Sequence, residues 1–237
     1  VPTETTKSIF WKGARDASPF ILVVGPFGLL FGVVATEAGL NILETMTFSI
    51  LVIAGAAQLT ALQLMTDNAP TIIAIISALA VNLRMAMYSA SLAPYIGPAP
   101  LWQRACAAYF LVDQSYALSI LEYEKHPKWT VRQRMVYFFG TIAPVCPFWY
   151  IATLAGALIG SSVPDWLALD FAMPITFIAL IAPALRTRAH VAAALVSIIV
   201  ALCFAFLPYN LGLLVAGIAG MMTGAEVERR TEARAAA

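Results

Sequence analysis

Apolar residues do not alternate with polar ones along this chain. They run in long blocks separated by short polar clusters, the pattern of helices that cross a bilayer, each needing about 20 largely apolar residues. The blocks fall at about Pro19–Thr36, Thr45–Met65, Thr71–Ala90, Trp102–Leu121, Met135–Gly160, Trp166–Leu185, Val191–Leu207 and Leu211–Met222. Turn signals stand between them at Glu37 to Glu44, Asp67-Asn68-Ala69-Pro70, Pro94 to Pro100, Arg186 to His190 and Pro208-Tyr209-Asn210. Glu122 to Arg134 is the longest polar stretch and reads as a true loop. The pattern predicts an all-α, polytopic membrane bundle of about eight transmembrane helices, or seven if the short last block does not cross. It is read as one transmembrane domain over residues 1–225, with 226–237 a polar, disordered tail. Residues 1–18 mix Ile9, Phe10 and Trp11 with Lys7, Lys12 and Arg15, which suits a helix lying at the headgroup level, with a frayed tail as the alternative.

Proline and glycine punctuate several blocks. Gly25, Pro26, Gly28 and Gly32 lie in the first and Pro174 in the sixth, so these helices are expected to kink or break near a site, with close helix packing as the alternative for the first. Pro26 and Pro174 would then sit in oppositely directed helices, a pointer to a transporter site, although no residue-level repeat joins the two halves.

Composition agrees with this picture. The 237 residues are 61% apolar and 11% charged, where soluble domains carry about 25% charge, and the mean hydropathy is +0.83. A net charge of +1 gives no reason to expect nucleic acid as a ligand. The placement of the cations says more than their sum. With eight crossings and a cytoplasmic N-terminus, the inside segments hold Lys7, Lys12 and Arg15; Lys125, Lys128, Arg132 and Arg134; Arg186 and Arg188; and Arg229, Arg230 and Arg234. Only Arg104 falls outside and only Arg84 in the membrane, so both termini are placed on the cytoplasmic side. Cys106, Cys146 and Cys203 are odd in number, lie in apolar runs and read as free thiols. His126 and His190 fall in loops without neighbouring ligands and read as solvated; no metal site and no cofactor is expected.

The polar residues inside the blocks carry the candidate chemistry. An arginine at mid-helix costs roughly 2.5–3.5 kcal/mol on insertion scales and by default marks function. At 1.5 Å rise per residue, Gln58, Asn82, Arg84, Asp113 and Gln114 all lie within about 5 Å of the centre of their blocks. Arg84 and Asp113, opposite in charge and equal in depth, are expected to pair. Tyr88 shares a face with Arg84, and a continuous fourth helix would set Tyr109, Asp113 and Tyr116 on one face at i, i+4 and i+7.

The motifs Pro26-Phe27-Gly28-Leu29-Leu30-Phe31-Gly32, Ala54-Gly55-Ala56-Ala57-Gln58, Asn82-Leu83-Arg84, Leu92-Ala93-Pro94 and Asp113-Gln114-Ser115-Tyr116-Ala117-Leu118, in this order, closely resemble the AzlC family. Gln114 stands where the family usually has an acidic residue, and Met85 where it often has an aromatic or histidine. The resemblance implies the large subunit of a branched-chain amino-acid exporter of a bacterial plasma (inner) membrane, working with a small membrane subunit of the AzlD type, in a homo- or hetero-oligomer.

With no GxxxxGK[ST] loop in the chain, an ion gradient is the expected energy source. Arg84 is expected to hold a substrate carboxylate, Gln58, Asn82, Tyr88, Tyr109 and Gln114 to line the site, and Asp113 to carry a proton. The alternatives are the permease subunit of an ATP-driven transporter, with an ATPase docked on the Glu122 to Arg134 loop, and a non-transporting structural subunit. A membrane enzyme is not expected, since no HExxH motif and no Ser or Cys nucleophile beside a histidine appears.

Overall fold

The computed structural model describes residues 5–160, 185, 187–207 and 211–235, and the sixth apolar block with Pro174 lies outside them. All regular structure among these residues is helical. The chain divides into two compact units, Val1–Leu59 with Val81–Leu167, and Thr60–Ala80 with Ala168–Ala237.

The first unit begins with α1 (Thr6–Ala17), a 3-10 turn at Ser18–Phe20 and α2 (Ile21–Glu37). Together they form one apolar run, Thr6–Glu37, which continues through Gly25 and Pro26 without the expected break. A proline deletes one amide from the ladder, a loss that a membrane helix supported along its length tolerates. The support is α8 (Val131–Gly160). A Cβ at Gly13 would overlap the Tyr137 carbonyl, one at Gly32 the Thr153 carbonyl, and one at Gly156 the Leu29 carbonyl. Residue numbers rise together along this seam, so α1–α2 and α8 run parallel with their backbones touching. The glycines of the first block therefore serve packing, and α1 lies along the first turns of α8, in line with α2.

Two blocks predicted as continuous helices are cut in the middle. Asn41 and Glu44 cap each other's amides, at 2.9 and 2.8 Å, and start α3 (Ile42–Leu51), which stops at the extended Val52 (φ −127°, ψ 93°). Residues 52–54 are outside any helix, and α4 (Gly55–Thr66) follows. Likewise α6 (Leu101–Tyr109) ends before the extended Val112 (φ −131°, ψ 165°), and α7 (Asp113–Lys125) begins. The helix, three-residue break, helix pattern thus occurs twice, with α5 (Thr71–Ile96) between the two copies.

Contacts give the direction of α7. Arg84 meets Asp113, Tyr88 stacks on Tyr116, and Tyr95 packs on Tyr123, so α5 and α7 run the same way. Arg134 donates to the Tyr95 carbonyl at 3.3 Å, Tyr123 donates to the Arg134 carbonyl at 2.7 Å, and Lys12 pairs with Glu122. The starts of α1 and α8 and the ends of α5 and α7 therefore share one level. The α6–α7 pair is a re-entrant hairpin that dips from that level, turns at 110–112 and returns. Its counterpart α3 enters from the opposite end, where α2 stops. α5 is long and apolar enough to cross, and residues 67–70 join it to α4. The first halves of the two broken pairs, α3 and α6, thus enter from opposite ends.

Up to Gly160 three helices are long and apolar enough to cross, and two of the five predicted crossings are broken pairs of half-helices. Four helices among the described residues are long and apolar enough to cross: Thr6–Glu37, Thr71–Ile96, Val131–Gly160 and Leu211–Thr231. A pair of half-helices carries as many apolar residues as one span, and hydropathy counts only their number.

The correction also moves Arg104. It now enters from the α1 end, together with Lys7, Lys12, Arg15, Lys125, Lys128, Arg132 and Arg134, whereas the loop after α2 and the start of α3 carry Glu37 and Glu44 and no Lys or Arg. The cations of the first unit thus gather at the α1 end, the asymmetry on which the positive-inside rule operates. The long loop expected at Glu122 to Arg134 shrinks to residues 126–130, because α7 runs on to Lys125 and α8 starts at Val131. His126 is not a free loop histidine: its Nε2 lies 2.9 Å from Oε1 of the buried Glu122, and its ring stacks on Trp129 at 4.5 Å.

In the second unit, α9 (Arg188–Cys203) and α10 (Leu211–Ala235) pack antiparallel, with the Ser197 hydroxyl donating to the Ala216 carbonyl at 3.2 Å and Gly220 against Ser197. Thr187 caps α9, so His190 stands in a first helical turn. Helix α10 extends to Ala235, which makes most of the expected disordered tail helical. Glu226 pairs there with Arg229 at 2.8 Å and Arg230 at 2.6 Å, the i, i+3 and i, i+4 spacings that favour helix.

Two measurements check this architecture. In a background with Cys106, Cys146 and Cys203 replaced by alanine, Pro98→Cys and Lys128→Cys react with an impermeant maleimide from the same side and Asn41→Cys from the other; eight alternating crossings require Pro98→Cys to label with Asn41→Cys. Gly156→Leu forces the α2–α8 seam apart and lowers stability by about 3 kcal/mol, read as a fall in the thermal unfolding midpoint in detergent.

Candidate functional site

Arg84 stands at the centre of α5 and Asp113 is the first residue of α7. Arg84 Nη2 lies 3.3 Å from Asp113 Oδ2. The carboxylate gains a second source of positive potential, because the first amides of a helix lack intrahelical acceptors and carry the positive end of its dipole. Val112 has no side chain able to cap these amides. Ser115 makes half of a cap instead: its hydroxyl accepts from the Val112 amide at 3.0 Å and donates to the Val112 carbonyl at 2.9 Å, which sharpens the turn that presents Asp113. One helical turn on, Tyr88 and Tyr116 stack with ring centres 4.1 Å apart and planes within 9°, and the Tyr116 hydroxyl donates to Ser91 Oγ at 3.1 Å. α5 and α7 are thus held in register from the charge pair outward.

The hydrogen-bonding capacity at this depth is not used up. Buried side-chain atoms without a partner number eight among the described residues, and five of them belong to four of the expected site residues: both amide atoms of Gln58, Asn82 Oδ1, Arg84 Nε and Asp113 Oδ1. An unsatisfied buried polar atom costs about 1–3 kcal/mol. Such concentration marks either a functional site or a defect, and native folds keep few defects. Gln58 is fully buried in the first turn of α4, whose Gly55 approaches the rings of Phe27 and Trp149.

The structure brings together Arg84, Tyr88, Asp113 and Tyr116. The Gln58 and Gln114 side chains take no part in the described hydrogen bonds, although Gln114 follows Asp113 in the first turn of α7. Tyr109 does not share a helical face with Asp113, because the break at 110–112 separates them. Its hydroxyl donates instead to the Ile50 carbonyl near the end of α3 and lies 3.4 Å from the Tyr150 hydroxyl, tying the tip of one hairpin to the first half of the other. A polar group that sequence reasoning missed seats α3 on α8: Trp149 Nε1 donates to Ser49 Oγ at 2.7 Å, and Ser49 lies 3.3 Å from Thr153 Oγ1. The available signals were the residue types. Asp113 and Ser115 favour helix starts, and Gly55 follows the β-branched Val52 and Ile53.

Chemically, a guanidinium and a carboxylate that each keep an unfilled hydrogen-bonding atom can receive the two ends of a zwitterion. A half-helix starting inside the membrane adds amides that favour an anionic group.

The family described as AzlC protein matches residues 19–163, which contain the breaks, both hairpins and the charge pair. An uncharacterized membrane protein of Archaeoglobus fulgidus is 28% identical over 218 residues, covering 90% of this chain and 93% of its own. The inner membrane protein YgaZ of Escherichia coli is 25% identical over 228 residues, 91% of this chain and 87% of its own. An uncharacterized membrane protein of Helicobacter pylori is 28% identical over 213 residues, covering 87% and 91%. No solved structure matches. The match takes in more than half of the chain and every residue of the Arg84–Asp113 site, and the chain belongs to the AzlC family of membrane proteins.

Proposed function

We propose that the protein is a secondary exporter of small aliphatic zwitterions, namely valine, leucine and isoleucine with methionine as a further substrate, working by proton antiport across a bacterial inner membrane. The observation that carries this reading is the Arg84–Asp113 pair, set where α7 starts inside the membrane and left with unpartnered Nε and Oδ1 atoms. Without substrate the two charges neutralise each other. A substrate gives its carboxylate to the guanidinium and its ammonium to Asp113, and so crosses with Asp113 unprotonated. On the far side a proton taken up there by Asp113 displaces the ammonium as the substrate leaves, since a carboxylate deprived of its counter-charge binds a proton more readily. The site returns inward with that proton and gives it to the cytoplasm when Asp113 pairs with Arg84 again or with the next substrate, so one proton enters for each substrate exported. Gln58 and Asn82 offer amides to the polar ends of the substrate. The hairpins entering from opposite faces resemble the discontinuous helices around which transporters alternate access. A small AzlD-type membrane subunit is the proposed partner, and the site is assigned transport and no catalysis.

An ATP-driven permease is disfavoured, since the segment between α7 and α8 that was to dock an ATPase is only residues 126–130. In proteoliposomes, Asp113→Asn is expected to lose the response of leucine flux to an imposed pH gradient, and an undiminished response overturns the proton role. The double variant Arg84→Met with Asp113→Leu replaces the pair with apolar groups, so it folds and inserts but exports at less than a tenth of the parent rate. Normal export by that variant would make the pair structural.

A further inference from the structure

We infer that a cavity between α5, α6 and α8 is a cytoplasmic loading site for an aliphatic carboxylate, in which Arg104 takes the carboxylate and an apolar wall takes the alkyl group. The cavity measures about 410 Å³, within the roughly 300–1,000 Å³ of small-molecule sites. Leu92, Ile96, Leu111 and Phe138 form its buried wall, and Arg104 is the one charged residue among those that line it. No described carboxylate lies within ion-pair distance of Arg104. A cation with no partner among the described carboxylates, beside an apolar cavity, fits a ligand with one anionic end and a hydrocarbon end. With no acid in the lining, the site has nothing to hold an ammonium group, which stays toward water.

The position of the cavity gives it a role. α6 enters from the cytoplasmic face, and the inner lining is made by Ser89 and Leu111, next to Tyr88 and two residues before Asp113. A ligand moving inward from Arg104 meets the Arg84–Asp113 pair next, so two guanidiniums stand in series along one path. The inference rests on the export reading for the identity of the ligand, but binding can be measured without transport.

The test uses the full chain in nanodiscs, with native cysteines replaced by alanine and Ala108→Cys placed in the lining. The thiol is expected to react with a water-soluble maleimide, and leucine or 4-methylpentanoate to slow the reaction at least fivefold, whereas isopentylamine does not. Adding Arg104→Gln abolishes protection, and Arg104→Lys restores part of it. In cells, Arg104→Gln raises the half-saturating internal leucine concentration at least tenfold. A thiol that no aqueous reagent reaches would show a lipid-filled groove and overturn the proposal, as would protection that survives Arg104→Gln or is given equally by the amine. Protection without any export by the parent protein sinks the export reading and leaves the loading site standing; normal export with no protection does the reverse.

Discussion

A guanidinium and a carboxylate 3.3 Å apart in the middle of a membrane impose much of what surrounds them. Neither charge can face lipid, so the helices bearing them must be covered. Asp113 reaches the centre because a helix begins there, and a helix can begin inside a membrane only where protein takes up the loose backbone groups. Ser115 takes up the groups of Val112, and Tyr109 takes the Ile50 carbonyl of the other hairpin. The broken helices and the charge pair thus require each other.

The frame that holds this region is built differently. The α1–α2 and α8 seam is tight because glycines on both sides admit the opposite backbone, so its strength is van der Waals contact over more than six helical turns. At the α1 end the links are polar. Glu122, nearly buried, draws Lys12 from α1 and His126 from the turn after α7, while Arg134 donates to the carbonyls of Tyr95 and Pro127 and Tyr137 donates to Asp16 at 2.8 Å. A dry seam along the length and a polar clasp at one end leave the hairpin tips as the lightly tied part of the unit.

The all-helical class, the pairing of Arg84 with Asp113 and the gathering of the first unit's cations at one end were legible in the sequence, since each follows from the cost of charge in lipid. The hairpins were not. The blocks Thr45–Met65 and Trp102–Leu121 have the length and hydropathy of spans, and only backbone angles at Val52 and Val112 reveal the turns. Pro26 misled in the other direction: its missing amide suggested a break, but contact with α8 keeps the helix whole. Tyr109 was assigned a helical face that the cut removes. The loop expected to carry Lys125 and Arg132 proved largely helical because Tyr123, Trp129 and Tyr137 pack together beneath it.

The seat of α3 has a further consequence, for biogenesis. Ser49 finds Trp149 a hundred residues downstream and Thr153 just beyond. While the ribosome is still making that distance, the first half-helices have only α2 to rest on, through Phe48 against Phe31, and the stretch from Ile42 to Thr66 resembles an ordinary hydrophobic anchor to the insertion machinery. Its final shape therefore waits for α8, and the nascent chain must hold or rearrange this stretch within the bilayer after the later helix arrives.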